Sequence, residues 1–343
     1  MSTTGSSQPT CKGCGQSING RYLTALGATW HPEHFVCAIC HQPIDDTQFN
    51  VHEGKPYHPT CYRDRIGPRC AYCHQPILSQ YYTHEGASYH TTCYRDHVVP
   101  RCAYCGKLLM SKYLVDHWGT KYCEEHQGLY PQCAFCGRLV PPQQQNHGSL
   151  SSEQVRCPTC RASAVESLPH ARTLFQGLMQ QLNAMGLLYN TIPLQIELVD
   201  RARLAQLIHG RGGADTLGVT MHSTHMLNGQ VVRTEVNGIA VLRGLPSTLF
   251  LGVCVHELGH AWLALQGIQN LPSWAEEGFC ELLSYRFYSQ LKTGESRYHA
   301  ESIEKNPDPV YGEGFRRVRA VSDRIGFQRF VETLRTTKRM AST

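Results

Sequence analysis

The most constraining feature of this sequence is a set of metal ligands that opens with a Cys-x₂-Cys pair and occurs five times between residues 11 and 160. Sixteen to twenty residues after each pair comes a second pair of cysteine or histidine residues. Four such ligands close a tetrahedral zinc site with no open position, which makes the site structural. A unit of about thirty residues cannot build an apolar core, so zinc replaces it. The predicted sets are Cys11, Cys14, His31 and His34; Cys37, Cys40, His58 and Cys61; Cys70, Cys73, His90 and Cys93; Cys102, Cys105, Cys123 and His126; and Cys133, Cys136, Cys157 and Cys160.

The cysteines and the charge balance indicate where the chain acts. No apolar segment follows the polar residues 1–10, which we expect to be a disordered tail, and the apolar run 249–255 is too short to cross a bilayer. We therefore expect a reducing, cytoplasmic location. Fifteen zinc-bound thiolates and five zinc ions offset the formal charge of +5. The nearly neutral protein is not expected to bind nucleic acid or membranes.

The first two ligand sets are separated by only two residues, a spacing that resembles a LIM domain at residues 11–61. Trp-His-Pro-Glu at residues 30–33 and Pro-Tyr-His at residues 56–58 also match LIM domains. His34 replaces the usual cysteine, and the His58 and Cys61 pair inverts the usual order, but both residue types bind zinc well. Residues 70–126 resemble a stretched second LIM domain, and residues 133–160 form an additional zinc-ribbon module. Because LIM domains are mostly protein-binding platforms, we expect protein partners here.

A second metal motif lies in the apolar stretch 248–260, which is predicted to be a buried helix. His256 and His260 are four residues apart, so both imidazoles leave the same face of that helix. Glu257 lies between them, where its carboxylate can reach a metal-bound water. This is the H-E-x-x-H pattern of zinc peptidases, in which two imidazoles bind zinc and the carboxylate acts as the general base.

A third zinc ligand is predicted on the next helix, which begins near Pro272. Glu277 follows His260 by seventeen residues and is favoured over Glu276, which is expected to face away from the metal. Glu281, one turn later, is expected to accept a second-shell hydrogen bond from His256, with a solvated carboxylate as the alternative.

The remaining elements surround this helix pair. The strand at 239–243, directly before the zinc helix, is expected to be an edge strand along the substrate cleft. Cys254 and Cys280 are expected to be inert core thiols. The other predicted elements are helices at 168–186 and 200–209 and strands at 192–199, 216–220 and 231–236.

Peptide hydrolysis also needs a donor for the oxyanion that develops on the substrate. The candidates are Tyr311, Tyr298 and His299, all of which follow the predicted third ligand. Tyr311 is ranked first because it lies in the Tyr-Gly-Glu-Gly-Phe sequence at 311–315. Sequence spacing alone does not choose among the three.

Residues 161–343 are thus predicted to form a zincin-like, gluzincin-type α+β domain, and the whole chain is α+β with zinc-stabilised modules in front. The chain resembles the plant LIM-domain peptidases that control organ size. The resemblance implies a zinc endopeptidase that acts on proteins of the ubiquitin pathway and is activated by ubiquitylation. Plant members often carry ubiquitin-interacting helices before the LIM domain, whereas ten residues precede Cys11 here. A prokaryotic homologue would need another substrate class. The motifs that carry the resemblance are the LIM ligands and residues 239–246, 256–262, 276–280 and 311–315.

Two functional hypotheses follow from this reading. The favoured one is an endopeptidase with one catalytic and five structural Zn²⁺ ions, whose LIM modules recruit or regulate partners. The alternative is a non-catalytic LIM adaptor in which the peptidase fold is a scaffold. The presence of His256, Glu257, His260 and Glu277 favours the enzyme.

Overall fold

The computed structural model describes residues 8–45, 47–145, 154–187, 189, 194–208, 216–227 and 230–340, without side chains at 224–227 and 230–234. The chain forms two compact units, Met1–Lys112 and Tyr113–Thr343. Their boundary falls within residues 70–126, the segment predicted to be one LIM-like domain.

The first unit is a series of small hairpins, each leading into the second half of a ligand set. Trp30, from the first hairpin, contacts Phe35 edge-on with ring centroids 5.6 Å apart. Phe35, Ile44 and Tyr57 form a small buried core in which Trp30 is a partly buried neighbour. The first two zinc modules therefore share apolar contacts, as expected for a tandem LIM arrangement. The elements are β1 (Leu23–Ala25), β2 (Ala28–Trp30), β3 (Asn50–His52), β4 (Lys55–Tyr57), α1 (Pro59–Arg65), β5 (Tyr81–His84), β6 (Ala87–His90) and α2 (Thr91–Cys93).

The second unit combines helices with a three-stranded sheet. Asp200 caps the helix Arg201–Leu207 as predicted, since its side chain accepts a hydrogen bond from the Arg203 backbone N–H at 2.8 Å. The predicted end of that helix at His209 and Gly210 lies outside the described residues. The elements are β7 (Leu114–Val115), β8 (Lys121–Tyr122), α3 (Pro158–Ala162), α4 (Leu168–Ala184), β9 (Gln195–Val199), α5 (Arg201–Leu207), β10 (Gly218–Leu227), β11 (Gln230–Leu242), α6 (Ser247–Leu265), α7 (Ser273–Leu291), α8 (Gly294–Lys305), α9 (Gly312–Ile325) and α10 (Phe327–Thr337).

The order of the sheet corrects the prediction of the edge strand. The strand before the zinc helix is β11, and it lies in the centre of the described sheet, antiparallel to β10 and parallel to β9. The cleft-side edge is β10. The predicted strands 231–236 and 239–243 are one continuous strand. Gly238 has φ +152°, and a Cβ there would lie 2.1 Å from the Gln195 carbonyl oxygen, so glycine carries β11 through an irregular position without ending it.

Helix α6 forms the centre of the core of the second unit. It is long and apolar enough to cross a membrane by length and composition, but 56% of that apolar window is buried inside the protein. Its side chains pack against α7 and the sheet; Phe250, Val255, Leu258 and Trp262 are almost fully buried. The apolar run 249–255 thus lies in the N-terminal half of a nineteen-residue core helix.

The fifth ligand set is part of this same core. Its four cysteines lie in one buried cluster with the residues of α6. The chain that follows them pairs with residues just before α6 and at its first position: Val165 and Leu245 are joined by a backbone hydrogen bond of 2.9 Å, and so are Ser163 and Ser247 at 2.8 Å. The Arg156 guanidinium also donates to the Gly244 carbonyl at 3.0 Å.

Candidate metal centres and catalytic site

The histidines and thiols of the first unit are placed as zinc ligands require. The Nδ1 atoms of His31 and His34 are 3.2 Å apart, and each is 3.5 Å from a thiol, of Cys14 and Cys11 respectively. Zinc bonds of about 2.0–2.3 Å in a tetrahedron separate ligand atoms by roughly 3.3–3.8 Å. The donors therefore fit zinc. In the sets led by Cys11, Cys37, Cys70 and Cys133, all ligand atoms lie within 4.8 Å of one another.

Outer contacts orient these ligands. The Nε2–H groups of His58 and His90 can donate to the carbonyls of Pro43 and Pro76, each at 3.1 Å. This leaves Nδ1 of each ring free to face the thiols. Burial opposes ionisation of Cys11, but backbone N–H groups, first that of His31, outweigh it and lower its pKa to about 5. The thiolate that zinc needs is therefore favoured at neutral pH.

The fourth set is divided between the two units. Cys102 and Cys105 belong to the first unit, and Cys123 and His126 to the second. Its assembly as a zinc site stays a prediction.

The fifth set consists of four cysteines, and all four are buried. The Sγ atoms of Cys136 and Cys157 are 3.6 Å apart. Four thiolates and one Zn²⁺ carry a net charge of about −2, which must be compensated in a core. Arg138 donates to the Cys136 thiolate at 3.4 Å and stacks over the Trp118 ring at 3.6 Å from its centroid.

The H-E-x-x-H residues meet the predicted third ligand where α6 and α7 cross. The Glu277 Oε2 atom lies 3.1 Å from Nε2 of His256 and 3.4 Å from Nε2 of His260. The helices approach closely because α6 has glycine at the contact. A Cβ on Gly259 would lie 2.8 Å from the Cys280 sulfur. Cys254 and Cys280 are fully buried in these helices.

Two further carboxylates face the outer nitrogens of the histidines. Glu281 Oε1 is 3.4 Å from His256 Nδ1, and Glu276 Oε1 is 3.0 Å from His260 Nδ1. Glu276 lies away from the point at which Glu277 meets both Nε2 atoms, and it contacts His260 from the other edge of the ring. Since Nδ1 and Nε2 lie on different edges of one imidazole, the His260 ring reaches both Glu276 and Glu277 although these are neighbours on α7.

The carboxylates and imidazoles shift each other's ionisation. Burial alone would lower the pKa of His256, but Glu277 and Glu281 raise it well above its ordinary value. Burial opposes ionisation of Glu277 too, yet His256 and His260 lower its pKa to about 2. Without a metal ion, the imidazoles therefore favour their protonated form beside the ionised Glu277 carboxylate. Zinc bound by these atoms would take the place of the protons.

Removing either outer carboxylate is expected to weaken metal binding at this centre. Glu276→Gln and Glu281→Gln should each lower zinc affinity about 10- to 100-fold, because a ligand histidine loses its oriented partner. Competition with a chromophoric chelator measures the affinity of the most weakly held zinc ion, which we expect to be the one at this open centre. Glu332→Gln, in an exposed pair with Arg335, is the control and should leave the affinity unchanged. Equal affinity in all three variants would contradict the assignment.

Glu257 lies beside this centre at the wall of a cavity of about 430 Å³. It is 8% exposed, and its Oε2 atom accepts a hydrogen bond from the Thr220 hydroxyl at 2.9 Å. The cavity runs between β10 and the helices α6, α7 and α8. Its walls combine apolar and polar groups, among them Leu217, Leu249, Val253, Glu281, His299 and Tyr311.

Tyr311 reaches the site from the N-terminus of α9. Its ring is stacked beside that of His256, with centroids 6.3 Å apart, and it is 41% exposed. Two glycines allow this approach: a Cβ on Gly278 would lie 2.4 Å from the Gly314 carbonyl carbon. The sequence Tyr-Gly-Glu-Gly-Phe therefore seats the first turn of α9 directly beside Glu277.

The other two candidates for the oxyanion donor, Tyr298 and His299, lie on α8. His299 lines the cavity and stacks on Tyr288, with centroids 5.2 Å apart. Burial lowers the pKa of His299 to about 4, so its ring is neutral at physiological pH. Tyr298 instead packs against His117 and Trp118. Sequence reasoning missed the contact of Thr220 with Glu257 and that of Glu276 with His260. The alternation of side chains between the two faces of β10 was the available signal for Thr220.

Comparison with known proteins identifies two domains. Residues 11–66 match the family model described as LIM domain, and residues 196–297 match the one described as Protein DA1. Protein DA1 of Arabidopsis thaliana is 26% identical over an alignment of 390 positions, which covers 96% of this chain and 67% of the relative. LIM domain-containing protein HDR3 of Oryza sativa subsp. japonica is also 26% identical, over 95% of this chain and 73% of its own length. Protein DA1-related 7 of Arabidopsis thaliana is 27% identical, over 91% and 61%.

Proposed function

We propose, from the premise that this chain belongs to the DA1 family of LIM-domain proteins, that it is a zinc-dependent endopeptidase with a gluzincin-type domain. The observation that carries the proposal is the convergence of His256, His260 and Glu277 beside the buried carboxylate of Glu257. Two imidazoles, one carboxylate and an adjacent base form the donor set of a hydrolytic zinc site.

The donor geometry supports zinc at this place. Zinc bonds of about 2.0–2.1 Å to nitrogen and oxygen separate tetrahedral ligand atoms by roughly 3.3 Å. The distances from Glu277 Oε2 to the two Nε2 atoms are 3.1 and 3.4 Å. Zinc held there would polarise the scissile carbonyl and acidify a water molecule, with a pKa of about 7. The cavity beside it leaves room for a fourth ligand, unlike the closed cysteine sets.

Three parts of the chain then have separate roles in the proposed reaction. Glu257 takes a proton from the attacking water and passes it to the leaving amine. The Tyr311 phenol donates to the oxygen on which negative charge develops. The edge strand β10 offers backbone groups that pair with an extended substrate.

Tyr311→Phe is expected to lower kcat about 100-fold and to change KM little, because a donor to the oxyanion acts mainly in the transition state. Steady-state kinetics on a cleaved peptide measures both constants. Tyr298→Phe removes the same hydroxyl from a residue packed on Trp118 and should retain wild-type kcat. If Tyr298→Phe is impaired and Tyr311→Phe is not, the assignment of the donor is wrong.

The partners follow from the rest of the chain. LIM domains generally bind proteins, so the N-terminal modules are proposed to recruit or regulate partners. The family resemblance extends the proposal to ubiquitin and regulatory proteins of the ubiquitin pathway, in the cytoplasm. Co-precipitation of ubiquitin conjugates with the full chain tests the binding of ubiquitin. Loss of this binding in Cys37→Ser would assign it to the LIM domain.

The proposed activity is tested by comparing protein termini in cells that express the wild type or Glu257→Gln. New termini are expected only in cells that express the wild type. The cleaved proteins should still bind the Glu257→Gln variant, which would not cut them. Identical termini combined with unchanged partner binding would support the non-catalytic adaptor instead.

A further inference from the structure

We propose that the edge strand β10 positions the general base: Thr220 holds the Glu257 carboxylate by a hydrogen bond, and Gly218 leaves the space in which it lies. This inference rests on the proposed peptidase function and assigns positioning residues for that reaction.

The Thr220 hydroxyl has one proton and two acceptors on Glu257, so its hydrogen bond is shared between the carboxylate and the backbone carbonyl. The Thr220 Oγ1 atom lies 2.9 Å from Oε2 of Glu257 and 2.7 Å from the backbone oxygen of the same residue. An ionised carboxylate has no proton to give, so the threonine hydroxyl is the donor. Among the residues that the structure describes, it is the side chain that donates to this carboxylate. One hydroxyl therefore ties the base to both the strand and the helix.

Gly218 shapes the space next to the same carboxylate. A Cβ at this position would lie 2.7 Å from Cγ1 of Val253, 3.0 Å from Cγ of Glu257 and 3.1 Å from its Oε1. A side chain at 218 would thus displace the base. Residues 218 and 220 are two apart on a strand, so both face α6. The regular alternation ends at the register shift between Met221 and His222.

A glutamate needs such support to act as a base. Its side chain has three rotatable bonds, and at the rim of a cavity it can leave the reacting position unless something fixes it. A group misplaced by about 1 Å can cost 100-fold in rate. Contacts that fix the rotamer of a reacting side chain therefore affect kcat more than substrate binding.

The test compares Thr220→Val, which keeps the shape but lacks the hydroxyl, with Thr220→Ser, which keeps the hydroxyl. Thr220→Val is expected to lower kcat about 10- to 100-fold, the loss of a hydrogen bond to a charged group, with KM within about twofold and zinc content unchanged. Thr220→Ser should restore kcat to within about threefold of the wild type. Ser223→Ala removes another hydroxyl from β10, one that contacts Asn237, and should have no effect.

A double-mutant cycle separates positioning from a general effect on the fold. In Glu257→Asp the shorter carboxylate no longer reaches the hydroxyl, so adding Thr220→Val should lower kcat by less than about twofold further. A full additional loss would overturn the proposal, as would wild-type kcat in Thr220→Val. Gly218→Ala is an independent test that leaves Thr220 intact; the same loss confined to kcat is expected, and wild-type kcat would contradict it.

Failure of this inference differs from failure of the proposed function. If Glu257→Gln is inactive while Thr220→Val, Thr220→Ser and Gly218→Ala all equal the wild type, only the positioning role is wrong. If Glu257→Gln keeps wild-type activity, the proposed mechanism itself fails.

Discussion

Glu257→Gln is expected to lower kcat/KM about 1,000-fold while the protein keeps its fold and its zinc. The amide has the shape of the carboxylate and its oxygen can still accept the hydrogen bond from Thr220. It cannot take a proton from water, and general-base catalysis contributes roughly 10²- to 10⁴-fold to enzymatic rates. The variant therefore isolates the proton transfer from the geometry of the site.

The measurement is kinetic, with metal content determined on the same preparation. Glu332→Gln, an exposed carboxylate on α10, is the matched control and should equal the wild type. A Glu257→Gln protein that holds zinc and cleaves at the wild-type rate would show that another group is the base. Equal thermal stability of the three proteins excludes unfolding as the cause of the loss.

Cys157→Ser is expected to destabilise the second unit by about 4–5 kcal/mol or more, since it breaks a metal site in the main core. For a unit of this size that corresponds to a fall in Tm of roughly 10–20 °C. Activity should fall with it. The chain after this cluster pairs with Leu245 and Ser247, next to the start of α6, so loss of the site loosens the support of the zinc helix.

Calorimetry and metal content together check this prediction. Cys254→Ala removes a fully buried sulfur that belongs to none of the proposed ligand sets, and it is expected to cost about 1 kcal/mol with full zinc content. A Cys157→Ser protein with wild-type Tm would contradict the place of the fifth set in the core.

Local chemistry in this chain could be predicted from the sequence, because ligand geometry constrains spacing. Cys-x₂-Cys pairs and residues four apart on a helix have few geometric options, so spacing alone brought His256 and His260 to one face. The placement of Glu277 and Glu281 followed from the length of the turn between two helices. These inferences needed only the period of the helix and the short distances along the chain that ligand geometry requires.

What could not be predicted depended on contacts between distant segments. Gly238 reads as a strand end, but the pairing of β11 with its neighbours carries the strand past it. Strand order placed β10, and with it Thr220, beside Glu257. The crossing of α6 and α7 brought Glu276 to His260. The fifth cysteine set looked like another repeat, yet its segment packs into the core of the helices that follow.

We propose that one zinc ion, held by His256, His260 and Glu277, supports peptide hydrolysis and that the closed cysteine sites do not. The most direct measurement is zinc re-addition to the full chain after brief chelation, with peptide cleavage recorded against zinc bound. Activity should disappear with the first equivalent removed and return linearly up to one equivalent, and Glu277→Ala should fail to recover it. Full activity after that equivalent is lost, or full recovery in Glu277→Ala, would contradict the claim.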